Sequence, residues 1–465
     1  MSKTSIQILN QIFTSAVDAV LPQQLIRSAI RIEPHDGNLH VRLKQIDEDS
    51  IKWHKIRIVG RDVFLFGAGK AIVGMCQGLL EQIDQYQLSI NVKGHLNVPF
   101  GSIVKKQHLF TKYNTTYHEC GRNNLPDDFS LKNTQDLMQK LHQHVTQHSN
   151  PLVIGFVSGG GSALLSLPKE SISIKDKLNV ITSMVRHGAN IVELNLIRSC
   201  LSQVKHGKMA QQIFEWNSNS ELFTFIISDI IGDPIEMIAS GPTVLQSTQL
   251  KPEEVLLKYS LKFEERINKH FTTENKKIFP GINLTNAIIG NNAIALNEAR
   301  IRAENFGFKV VMIGSGLSGE ARSIVRQLIS MVSNHKFLPE DRSRHKGVLW
   351  LAGGEVTIRM DQTRKLGIGG RCQEMGLLFL DEMDRLKWVG PEIYALFAGT
   401  DGQDGPTPVA GVQLKWPFKL SNVWKQSLAD HDSYNFWIEH APECLIRTGI
   451  TGTNVMDIYA LMIRF

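Results

Sequence analysis

Residues 63–80 read Val63-Phe64-Leu65-Phe66-Gly67-Ala68-Gly69-Lys70 and then AIVGMCQGLL, and this stretch decides the fold class. Val63–Phe66 is a short apolar run of the kind that forms a strand buried on both faces. A glycine turn ends it, and Ala71–Leu80 resumes as a helical pattern. Strand, glycine turn and helix in that order are the opening unit of an α/β layer.

Further apolar runs ending in Gly, Ser or Asp lie between helical patterns at Val153–Val157, Phe223–Ile227, Ala287–Ile289, Val310–Ile313, Val348–Leu351 and Ala395–Phe397. Strands alternating with helices predict an α/β chain with largely parallel sheets. In such sheets ligands sit in the crevice beyond the carboxyl ends of the strands. The glycines, acids and basic residues of this chain concentrate there.

At 465 residues the chain exceeds what one hydrophobic core usually serves, so two domains are expected. A polar stretch from Gln246 to Pro280 reads as helix and linker rather than core and sets the boundary near residue 280. Residues 1–20 place Ile6, Leu9, Phe13, Val17 and Val20 on one helical face and read as the first helix of the fold, not a leader. Lys plus Arg exceed Asp plus Glu by 51 to 45, but no block of like charges forms a nucleic-acid arm. No apolar run is long enough to span a membrane. Five scattered cysteines without a CxxC pair fit a reducing compartment, the cytoplasm first and the mitochondrion as the open alternative. His142, His144 and His148 lack a third ligand at metal spacing and read as a solvated helix.

Six motifs carry the chemistry. Gly67-Ala68-Gly69-Lys70 presents backbone N–H groups, a helix start and a point charge, which suits phosphate; a tight turn with a solvated lysine is the plain alternative. It fits neither common nucleotide fingerprint, since the dinucleotide pattern needs Gly at Ile72. Ser158-Gly159-Gly160-Gly161-Ser162 is the stronger phosphate cradle, with a flexible turn as its alternative. Asp229 and Asp233, after Ile226–Ser228, are the candidate magnesium ligands, or else a cap and a turn former before Pro234.

Glu193-Leu194-Asn195 leads through Arg198 to Lys205 and Gly207 along a helix-like stretch, with Arg198 and Lys205 as candidate substrate contacts or ordinary surface residues. Gly353-Gly354-Glu355, then Gly367-Ile368-Gly369-Gly370-Arg371, read as glycine loops, the second delivering an arginine to a helix start. Thr400-Asp401-Gly402-Gln403-Asp404-Gly405 offers two acids beside hydroxyls, or a solvated turn. Glu355 and Asp401 complete the candidate substrate contacts.

Together with Thr448-Gly449-Ile450-Thr451-Gly452-Thr453-Asn454-Val455, these motifs resemble the glycerate kinases, the class that includes bacterial glycerate 2-kinases and the animal glycerate kinase. The resemblance implies an amino-terminal Rossmann-like domain over residues 1–280 and a smaller carboxy-terminal α/β domain over residues 281–465, with the active site in the cleft between them. It implies ATP and Mg2+ as cofactors, glycerate as the small-molecule partner, and Lys70, Asp229 and Arg371 near the transferring phosphate. A homodimer stays open as the assembly. The chain departs from the family pattern at Ser199 and Cys200, where Lys-His is usual, at His206 and Ile450, where Gly and Pro are usual, and at Cys372, where Asn is usual. A silent binding protein of the same fold and, behind it, a hydroxypyruvate reductase are the rival expectations.

Overall fold

A computed structural model of the chain describes residues 4–33, 38–43, 52–122, 125–245, 250–272, 281–335, 339–360, 366–419 and 423–465. The chain divides into two compact units. The larger comprises Pro22–Ser228 and Asp233–Ile289, and the smaller Met1–Leu21, Asp229–Gly232 and Gly290–Phe465. The expected boundary at residue 280 lies outside the described residues; the division passes between Ile289 and Gly290.

In the larger unit β1 (Ile30–Glu33), β2 (Asn38–Leu43) and β3 (Lys52–Arg57) form an antiparallel sheet that buries Ile32, Leu39, Val41 and Ile56. The main sheet follows, with β4 (Asp62–Ala68), β5 (Asn91–Pro99), β6 (Thr115–Cys120), β7 (Leu152–Val157), β8 (Glu221–Ile227) and β9 (Asn283–Gly290) in the order β6-β5-β4-β7-β8-β9. The pairs β6/β5, β5/β4, β4/β7 and β7/β8 are parallel. The chain winds outward from β4 to β6, then starts again at β7 on the other side of β4. This is the doubly wound order of the Rossmann-like expectation, and it reverses between β4 and β7. Ala68 is level with Val157 in the register, so the loops leaving those two strands emerge side by side. Phe64, Phe66 and Val153 on the strands pack with Leu137 and Leu141 of the helix Asp128–Gln147.

In the stretch read as helix and linker rather than core, residues 250–272 do carry helix, but they pack into a second, helical core. Val255, Leu256, Ile267 and Phe271 are buried against Val180, Met184 and Ile197, while 246–249 and 273–280 lie outside the described residues. Two short helices, Pro252–Lys258 and Glu265–Asn268, hide few apolar residues among many charges, which leaves little periodic signal. The solvated-histidine reading also needs correction: His144 is buried and tilts against Phe64, and burial holds its imidazole down at about 4.

The smaller unit departs from a parallel sheet. Its strands β10 (Lys309–Glu320), β11 (Gly347–Thr357), β12 (Ile393–Gly399), β13 (Gly411–Trp416), β14 (Leu445–Ile446) and β15 (Asp457–Arg464) lie in the order β10-β11-β15-β12-β13-β14. Only β10/β11 is parallel; β15 enters antiparallel between β11 and β12. The helix Ser5–Ala19 belongs to this unit, capped by Thr4 and burying Leu9, Ile12, Phe13 and Ala16, as the opening periodicity requires. All five cysteines are free and buried. Among the described residues no helix is long and apolar enough to cross a membrane.

Candidate functional site

The point where the main sheet reverses is built from the first two glycine motifs. After β4, Gly69 turns at φ +145, and a side chain there would strike the Ser158 hydroxyl, its ideal Cβ lying 2.2 Å from Oγ. After β7, Gly160 takes a left-handed φ of +80, and a Cβ at Gly161 would meet the Ala68 carbonyl oxygen at 2.6 Å. The two loops are laced together. Lys70 N–H donates to the Gly159 carbonyl at 3.0 Å, Ala71 N–H to Ser158 Oγ at 3.1 Å, and Ser158 N–H to the Ala68 carbonyl at 3.3 Å. The N–H groups of Gly159 and Gly160 donate to no described residue. The Lys70 side chain is exposed and has no ion-pair partner among the described residues. Backbone donors without acceptors beside an unpaired ammonium are the chemistry that suits an anion.

A third segment braces these loops. Ser162 Oγ bonds Ser240 Oγ at 2.9 Å, and the Lys205 ammonium donates to both the carbonyl and the hydroxyl of Ser162. His206 and Gly207 N–H donate to the Ser240 and Gly241 carbonyls at 2.9 and 2.7 Å. Five residues here are left-handed: His206 (φ 58), Gly207 (φ 78), Ala239 (φ 50), Ser240 (φ 62) and Gly241 (φ 53). Each non-glycine in that region costs about 1–2 kcal/mol, so the brace holds a strained backbone. Lys205 and Gly207 therefore lie in a turn between the helices Ile191–Cys200 and Lys208–Trp216, not on a continuous helix.

Lys205 is almost fully buried, which pushes its ammonium well below the ordinary lysine range, with Lys177 and Arg198 adding repulsion. Burial likewise brings Lys177 down to about 8, with Arg198 the second cause, and lowers Arg198 itself. Lys177 escaped sequence reasoning because it stands alone among polar residues of an unremarkable helix.

In the smaller unit the cationic centre is Arg371, first residue of the helix Arg371–Arg385. Its Nε and Nη2 donate to the two carboxylate oxygens of Asp457 at 2.6 and 2.9 Å, and its Nη1 to Glu355 at 2.8 Å. Burial alone would lower the guanidinium, but the Asp457 carboxylate outweighs it and holds it charged. Tyr459 donates to Asp457 at 3.1 Å. Asp457 was missed by the sequence reading; it lies at the amino end of β15. Because β15 is antiparallel to its neighbours, that end lies level with Gly354 of β11 and Gly399 of β12. Gly353 and Gly354 are strand rather than loop, and a Cβ at Gly354 would strike the Leu317 carbonyl at 2.0 Å.

Asp404 is buried and caps the arginine's helix, accepting from Cys372 and Gln373 N–H at 3.1 and 2.8 Å. Asp401 turns back on its own loop, accepting from Gln403 N–H at 3.1 Å. Asp229, half-buried and two residues beyond β8, belongs to the smaller unit, and half-buried Asp233 (φ 54) to the larger. Among the described residues no group of three or more His, Cys, Asp or Glu comes together as metal ligands.

Comparison with known proteins gives these arrangements a context. A family model described as a domain of unknown function (DUF4147) matches residues 8–272, and one described as the MOFRL family matches residues 348–457. The chain is 30% identical to the glycerate kinase of Homo sapiens, covering 98% of this chain and 92% of that one. It is 31% identical to the D-glycerate 2-kinase of Thermotoga maritima over 77% of this chain and 84% of that one. A solved glycerate kinase structure from Thermotoga maritima superposes with a TM-score of 0.76 at 26% identity, covering 98% of this chain and 99% of that one.

Proposed function

The chain belongs to the glycerate kinase family, and from that premise we propose that it transfers the γ-phosphoryl group of ATP to a hydroxyl of D-glycerate. The observation that carries the reading is the laced pair of glycine loops at the sheet's reversal point, with no described residue accepting from the Gly159 and Gly160 N–H groups and Lys70 unpaired beside them. Phosphoryl transfer needs little covalent help from a protein. It needs phosphate charge neutralised and the acceptor held in line.

Gly67, Gly69, Ser158, Gly159, Gly160, Gly161 and Ser162 form the phosphate cradle in this proposal, and Lys70 neutralises the transferring group. Arg371, with two N–H bonds still to give beyond those taken by Asp457 and Glu355, stabilises the moving charge. Arg198 and Lys205 take the glycerate carboxylate, and Glu355 and Asp401 are further substrate contacts. Magnesium asks for one or two hard carboxylates and otherwise keeps water and phosphate oxygens. In this proposal Asp229 and Asp233 are the carboxylates offered to magnesium, and the ion would supply charge neutralisation for ATP phosphates.

The rival readings lose ground on particular atoms. Where a dinucleotide fold needs its third glycine, Ile72 is fully buried and its Cδ1 lies 3.0 Å from where a Cβ on Gly67 would stand. The departures at Ser199, Cys200 and Cys372 fall on buried packing positions and leave Lys70 and Arg371 in place.

Phosphorus NMR of the purified protein with ATP, magnesium and D-glycerate tests the proposal. Accumulation of 2-phosphoglycerate is the expected result, in keeping with the name of the Thermotoga relative. A 3-phosphoglycerate signal would reassign the hydroxyl, and ATP unchanged with no phosphorylated acid would sink the kinase reading.

A further inference from the structure

Three cations of the larger unit lie on adjoining segments, and none of them pairs with a carboxylate among the described residues. Lys177 comes from the helix Ile174–Arg186, Arg198 from the helix Ile191–Cys200 that packs on it, and Lys205 from the turn that follows. Lys177 is 5% exposed and Lys205 1%. Lys205 spends its donors on Ser162, and Arg198 makes one bond, to Asn195 Oδ1 at 3.2 Å. The Lys177 ammonium makes no hydrogen bond or ion pair with any described residue.

The acids on these helices are committed elsewhere. Asp176 accepts both Nη1 and Nη2 of Arg266, at 2.8 and 2.7 Å, and Glu193 accepts Lys258 Nζ and the Tyr259 hydroxyl, each at 2.7 Å. Burying an ammonium without a counter-charge is costly, and placing it beside two more cations raises the cost. Burial is the main cause that lowers both ammonium groups, with Arg198 adding repulsion at Lys177, and Lys177 and Arg198 adding it at Lys205. An arrangement of this kind is stabilised when an anion enters it.

We infer that Lys177, Arg198 and Lys205 form one oxyanion receptor whose ligand is the carboxylate of a small hydroxy acid, and that Lys177 is a substrate-binding residue within it. The inference rests on the kinase reading only for the identity of that acid. The contact of Lys205 with Ser162 ties the receptor to the phosphate cradle, so a nucleotide phosphate is the other source of the same chemistry, and the test separates the two.

The test uses the full chain and the variants Lys177→Gln and Lys177→Arg. D-glycerate binding is measured by calorimetry without nucleotide, and KM for D-glycerate and for ATP are measured in turnover. Loss of one charge-assisted contact predicts a KM and Kd for D-glycerate raised about 10- to 100-fold in Lys177→Gln, with KM for ATP unchanged. Lys177→Arg recovers most of that loss. Tm is expected to hold or rise in Lys177→Gln, because an unpaired buried charge has gone; a lower Tm with kcat and both KM values degraded together would mark Lys177 as merely structural and overturn the inference. An active wild type whose Lys177→Gln variant keeps its KM for D-glycerate, or loses ATP affinity instead, overturns it too. A wild type that binds D-glycerate through Lys177 yet makes no phosphorylated acid leaves the receptor standing and sinks the kinase reading. A wild type that phosphorylates D-glycerate but shows no Lys177-dependent binding does the reverse.

Discussion

The two cationic centres of this protein are constructed in opposite ways. Lys70 stands exposed on the turn between β4 and the helix Ile72–Gln85, its ammonium unpaired among the described residues, and the strain and bracing lie in the backbone around it. Arg371 is half-sheltered and clamped by Asp457 and Glu355, with the backbone around it regular and the cost carried by buried charges. The difference teaches where stability and activity separate. A charge left open can be removed without loss to the fold, whereas a charge held by a buried carboxylate is part of the fold.

Lys70→Ala breaks the comparison at its most sensitive point. It is expected to lower kcat by about 10²–10³-fold, as removal of one preorganised electrostatic contact does, while denaturant unfolding stays within about 0.5 kcal/mol of wild type. Intact turnover would remove Lys70 from the chemistry. The opposite profile is expected at the other centre. Asp457→Asn leaves Arg371 without its bidentate partner in a site only 1% exposed at residue 457, and should cost about 3 kcal/mol in denaturant unfolding as well as activity. An Asp457→Asn protein as stable as wild type would show that the two centres are built alike.

The smallest effect sharpens the account of backbone strain. His206 holds φ 58 where the family's usual residue is glycine. His206→Gly is therefore expected to stabilise the larger unit by about 0.5–1 kcal/mol, read as a raised denaturant midpoint at unchanged slope. No stabilisation would mean that the imidazole's own contacts offset the relief.

The first of these centres was largely legible before any coordinates, and the second was not. Strand, glycines and lysine at Val63–Lys70 are contiguous, and so are strand and glycines at Val153–Ser162, so each loop announces its own geometry. Lys177, Arg198 and Lys205 hint at the limit of that legibility: Arg198 and Lys205 were suspected from neighbouring motifs, but the third cation is 21 residues before Arg198 and has no motif around it. Arg371 could be placed at a helix start, yet its partner Asp457 is a lone acid before an apolar run. The reading of 246–280 as helix and linker rather than core missed the buried side chains within 250–272 for a related reason. Val255, Leu256, Ile267 and Phe271 are too sparse to show a periodicity until other helices cover them.

By itself, the sequence determined the alternation of strands and helices, the two phosphate-type loops and the opening helix. These depend on local periods of apolar residues and on glycine at turns, interactions that reach only a few residues along the chain. Tertiary structure alone decided that the main sheet reverses between β4 and β7 and brings the two loops side by side. It alone also ran β15 antiparallel between β11 and β12, so that the carboxylate of Asp457 meets Arg371. Strand order and direction are set by which buried faces pack best over the whole unit, and that balance is a sum over contacts distant in sequence.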